Sequence, residues 1–71
     1  MKAELEKKLN KLPAVIQDYG VFYDLIICKC DVPLKWVIQY TNFSTENTIL
    51  TVEHQSLQAA VDTTLKELKN L

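Results

Sequence analysis

The stretch VFYDLIICKC, Val21 to Cys30, decides how this chain can fold. Read with the two-residue period of a β-strand, Val21, Tyr23, Leu25 and Ile27 fall on one side and Phe22, Ile26 and Cys28 on the other, so both sides are apolar. A strand of that composition wants cover on two faces. The 71-residue chain has room for two helices beside it, enough to cover one face of a small sheet and not both. The surplus apolar side implies a partner surface.

Upstream, Leu5, Leu9, Leu12, Ile16 and Tyr19 recur at the spacings of one helix face. Glu4 and Glu6 precede Lys7, Lys8 and Lys11, the order the helix dipole favours. Pro13 has no N–H to donate to the Leu9 carbonyl and disfavours a helical Leu12, so a kinked or broken helix is expected over residues 2–19. Gly20, the only glycine, is expected to cap it in a left-handed conformation. The first strand then spans about 21–30.

Downstream, Asp31-Val32-Pro33 suits a tight hairpin into LKWVIQYT, a second strand over 34–41 with Leu34, Trp36, Ile38 and Tyr40 on its buried face. The polar turn NFSTEN leads to a third strand at about 48–53. Ser56 is placed to cap a last helix over about 57–70, whose inner stripe is Leu57, Ala60, Val61, Thr64, Leu65, Leu68 and Leu71. The expected fold is a single small α+β domain over residues 1–71, in the order αβββα. A three-stranded antiparallel meander carries both helices on the face of Trp36, Ile38 and Tyr40, with Trp36 largely buried under the last helix.

In such a meander the first strand lies at an edge, where long apolar strands act as pairing templates. Val21, Tyr23, Leu25 and Ile27 are assigned to its outward side and form the expected interface. Two copies would pair their first strands into a six-stranded sheet, or stack their outer sheet faces, as a homodimer. In the competing arrangement the kinked first helix covers Val21, Tyr23 and Leu25 and the protein is a monomer.

Charge and composition narrow the function. Hydrophobic residues make up 48% of the chain, which argues for a folded core rather than disorder. All eight basic residues are lysines, against nine acidic ones, for a net charge of −1. Without arginine, the residue that forks onto phosphates and guanine edges, nucleic acid is a disfavoured partner. The longest unbroken apolar run, Leu25 to Cys28, falls far short of the roughly 20 residues that cross a bilayer. No basic segment followed by an apolar run opens the chain, and two cysteines are too few for a disulfide scaffold. A cytoplasmic setting without membrane contact is expected.

The residues that carry chemistry elsewhere are sparse here. Cys28 and Cys30 share one strand face, and His54 would be a third soft ligand, but no fourth candidate accompanies them. No base is set beside Cys30, and Asp24 reads as a charge that discourages aggregation of the strand. Neither a catalytic residue, a metal, a cofactor nor a small-molecule substrate is expected.

The element order resembles that of the double-stranded-RNA-binding domain. The resemblance implies RNA contacts from the first helix, the loop between the first two strands and a lysine-rich start of the second helix. The corresponding helix start here reads Ser56-Leu57-Gln58-Ala59-Ala60, with no lysine before Lys66, and the loop is only Asp31-Val32-Pro33. The segment KWVIQYT, followed by a turn, a strand and SLQAAVDTTLKEL, is similar to the C-terminal halves of small phage and prophage accessory proteins, which implies a mobile-element accessory role. The reading is a small non-enzymatic protein-binding domain that self-associates. The alternative is a nucleic-acid-binding accessory domain of the RNA-binding topology without its basic residues.

Overall fold

Pro13 ends the first helix well before the apolar periodicity does. In the computed structural model, which describes residues 2–71, helix α1 spans Lys2–Lys11 and a strand, β1, follows at Val15–Asp18. Met1 lies outside the described residues. Beyond the proline, β-branched Val15 and Ile16 favour an extended chain. Tyr19 and Gly20 then both take positive φ, 49° and 80°, the conformation of a two-residue turn whose twist matches a β-hairpin. Gly20 therefore turns a hairpin instead of capping a helix. Tyr19, expected on the inner helix face, is 99% exposed at the turn.

The remaining elements lie within one or two residues of their expected bounds: β2 at Val21–Asp31, β3 at Leu34–Asn42, β4 at Asn47–His54 and α2 at Leu57–Leu68. The fold is α+β, with two helices and a four-stranded antiparallel sheet in the order β1-β2-β3-β4, one strand more than expected. That added strand also separates the chain from the three-stranded topology of the RNA-binding family.

Register sets the core. Ile27 lies opposite Ile38 and Ile38 opposite Val52; the next rung joins Leu25, Tyr40 and Leu50. Ile38 and Tyr40 are fully buried, and α2 lays Ala60, Val61 and Thr64 against this face. Leu12 closes the core from the α1 side, with Leu5 and Leu9 packed beside it, so both helices cover the same face. A 2.9 Å ion pair between Lys8 and Asp62 joins the helices at their surface. Ser56 Oγ accepts the Ala59 N–H at 3.3 Å as the N-cap of α2, and the buried Thr64 hydroxyl donates to the Ala60 carbonyl at 2.7 Å. Trp36 is only half-buried. It sits at the end of the covered face between Lys29 and His54, with the Lys29 ammonium 5.7 Å from the ring centroid, so the core is centred on Ile38 and Tyr40 instead.

Tyr40 also fixes the path of the chain. Its hydroxyl donates to the Pro13 carbonyl at 2.8 Å, tying the link between α1 and β1 to the middle of the sheet. Burial pushes the phenol up to about 12 from its ordinary 10.0. Because the folded state favours the neutral phenol, this contribution to stability is complete below pH 10 and is lost as pH rises toward 12. Tyr40→Phe is expected to cost about 1 kcal/mol at neutral pH by denaturant unfolding. The same variant should lose less stability than wild type across the alkaline window.

Candidate functional site

The two strands of the first hairpin differ in length, and the mismatch leaves a gap. β1 has 4 residues and β2 has 11. β1 runs from Val15, opposite Asp24, to Asp18, opposite Val21, so it covers only the first part of β2. One further bond, from the Leu25 N–H to the Ala14 carbonyl at 2.9 Å, ends the pairing. Among the described residues no strand lies beside Ile26–Asp31 on that side. The Leu25 amide points away from β3, so the alternation of the strand turns the N–H and C=O of Ile27, Lys29 and Asp31 the same way, toward open space.

Exposed side chains flank these free backbone groups. Ile27 is 38% exposed, and Cys28, Lys29 and Asp31 are exposed. On the uncovered sheet face an apolar strip beside the free stretch is formed by Ile26 and Cys28 of β2 with Val37 opposite Cys28, and Phe22 lies beyond Asp24 in the half paired with β1. Phe22 is 58% exposed there. Natural edges are usually blunted by proline, bulges or inward charge; here Lys29 and Asp31 are the only charges from Ile26 to Asp31.

The side chains assigned from the sequence to the outward face need correction. Val21, Tyr23, Leu25 and Ile27 share the side of β2 that carries the core, because Leu25 lies opposite Tyr40 and Ile27 opposite Ile38. Leu25 packs against the buried cluster. Val21 and Tyr23 lie opposite Asp18 and Ile16 of β1, so β2 is an interior strand at that end. Of the four, Ile27 alone falls in the free half. Edge pairing along the whole strand is ruled out by β1. The helical periodicity that continues through Ile16 and Tyr19 conceals the free stretch in the sequence, although Val15-Ile16 followed by Tyr19-Gly20 carries the hairpin signal.

The scattered polar residues do not converge. Cys28 and Cys30 lie on the uncovered face, whereas His54 lies on the helix side with Nε2 3.3 Å from the Thr63 hydroxyl. Among the described residues no three His, Cys, Asp or Glu side chains gather as a metal site would require. Asp24 stands opposite Val15 on the uncovered face, exposed. Lys35 donates to Glu53 at 2.7 Å on the same face, and that hydrogen bond, with the carboxylate's charge, holds the ammonium above its ordinary range. A groove of about 550 Å³ lies on the helix side between β1 and the end of α2, lined by Pro13, Ile16, Ile49, Leu65 and Leu68 with Lys11 and Lys69 at its rim. Its walls are mainly aliphatic, with Gln17 and Asp18 joining the two lysines as the polar part of its lining. No described helix is long and apolar enough to cross a membrane.

Comparison with known proteins returned nothing: no family model, curated protein or solved structure matches this chain. The site therefore rests on its own geometry.

Neighbouring residues of β2 separate the two faces experimentally. Leu25→Lys buries a charge in the core and is expected to cost more than about 3 kcal/mol, enough to unfold a domain of this size. Ile26→Lys points to the uncovered face and should change stability by about 1 kcal/mol or less. Circular dichroism with urea unfolding reads both, and a folded Leu25→Lys protein would overturn the assignment of faces.

Proposed function

We propose that this chain is a non-enzymatic protein-binding domain that works by strand addition at the free half of β2, and that the strand it adds belongs to a second copy of itself. One observation carries this reading: the unpaired N–H and C=O groups of Ile27, Lys29 and Asp31 stand in a row beside an apolar strip. An extended segment laid there gains directional backbone bonds and covers apolar side chains in one step.

Stacking of two uncovered sheet faces fits less well. That face also carries Asp24, Lys35, Gln39, Glu53 and the threonines Thr41, Thr48 and Thr51, polar groups that a stacked core would strip of water. Two groups that could carry enzymatic chemistry are already engaged, the Tyr40 hydroxyl with Pro13 inside the core and Lys35 with Glu53 in the open. A nucleic-acid partner has no cluster of arginines to meet its phosphates.

A single short strand pair is a small interface, so association is expected at roughly 100 µM rather than at nanomolar concentration. Lys29→Pro removes one outward N–H at a position where edge strands tolerate proline, and leaves the bonds to β3 in place. Sedimentation should find wild type as a dimer at that concentration and Lys29→Pro as a folded monomer. A monomeric wild type would end the self-association reading, and a dimeric Lys29→Pro would move the contact away from this edge.

A further inference from the structure

We infer that the two copies pair antiparallel with Cys30 on the two-fold axis, Lys29 of each lying opposite the partner's Asp31. This rests on the self-association reading above and adds the register. A reciprocally bonded pair must join residues whose backbone groups point outward, and among the free residues these are Ile27, Lys29 and Asp31. The axis can then pass through Cys28, Lys29, Cys30 or Asp31.

Three of these positions fail on visible grounds. With the axis through Lys29, the partner's Val32 and Pro33 would come level with Ile26 and Leu25, where Ala14 already holds the Leu25 amide at 2.9 Å. Lys29 would also face its own copy. An axis through Cys28 drives the partner's turn further, into the space of β1. An axis through Asp31 sets two carboxylates directly opposite, which is destabilising, and keeps fewer bonded pairs.

The axis through Cys30 meets each condition. The partner's Val32 and Pro33 then lie level with Cys28 and Ile27, clear of Ala14. Lys29 and Asp31 form two bonded pairs that are also cross-strand ion pairs, charge-complementary by symmetry. Within one chain the same two side chains make only a loose contact of 3.8 Å, and both are at least half exposed, so they are free to re-pair. Odd positions meet odd positions, which keeps both sets of helices on one side of a continuous six-stranded core sheet, with each β1 in line with the partner's β2. Cys30 occupies the non-hydrogen-bonded site between the two pairs, where facing Cα atoms are about 4.5 Å apart, inside the span of a disulfide.

Disulfide trapping tests the register. Cys28→Ser and Cys30→Ser each leave a single thiol, and diamide accepts the two electrons and two protons released when two thiols join. Cys28→Ser, which keeps Cys30, should become a covalent dimer at least tenfold faster than Cys30→Ser. Random collision favours the opposite outcome, because Cys28 is the more exposed thiol. Equal rates, faster trapping through Cys28, or trapping in wild type but in neither variant would overturn the register, the last indicating Cys28 opposite the partner's Cys30. Sedimentation of reduced Cys28→Ser separates the two levels of the reading: a dimer that does not cross-link refutes the register alone, and a monomer refutes self-association with it.

Discussion

The hydrogen bond from the Tyr40 hydroxyl to the Pro13 carbonyl organises this protein beyond its own energy. Pro13 stops α1, and Tyr40, fully buried in the third strand, holds the chain where it leaves the helix layer. From that anchor the chain descends to the sheet level with Leu25 and has only Val15–Asp18 before the Tyr19-Gly20 turn reverses it. The length of β1 is thus set by an anchor at one end and a turn at the other. β2 continues past that anchor to Asp31, and among the described residues its second half has no neighbouring strand on that side.

The two apolar sides of β2 have different destinations. Leu25 and Ile27 meet the core built by Ile38, Tyr40 and the helices. Ile26 and Cys28 lie on the uncovered face, beside the free edge. An unpaired edge in water is tolerable because solvent bonds its N–H and C=O groups, but a strand that displaces this water also covers apolar surface, and the two gains favour the same site. In the proposed pairing the Lys29 and Asp31 charges would discourage indiscriminate pairing and reward one register, acting as a selector as much as a guard.

Much of the architecture was legible in local signals. Ser56 before the stripe from Leu57 to Leu68, the two-sided strand from Val21 and the alternation of LKWVIQYT specify their elements within a residue or two. The segment from Ala14 to Tyr19 was not, since Ile16 and Tyr19 continue the helical spacing of Leu5, Leu9 and Leu12 by coincidence. The proline and the turn residues outweighed that periodicity, because a missing N–H and a pair of positive φ angles are steric facts, whereas apolar spacing is a preference that tertiary contacts can override.

By itself, the sequence determined that this is a helix-and-sheet protein whose strand at Val21–Asp31 carries more apolar surface than its own helices can cover. Only the tertiary structure decided which side of that strand is the core. Leu25 and Ile27 are as apolar as Ile26 and Cys28, so parity carries no information until register with Ile38 and Tyr40 is known, and a shift of one residue exchanges the faces. The free edge is likewise a tertiary property. It arises from the difference in length between two paired strands and from the point at which Tyr40 anchors the chain entering the shorter one, and neither is written in the residues that line the gap.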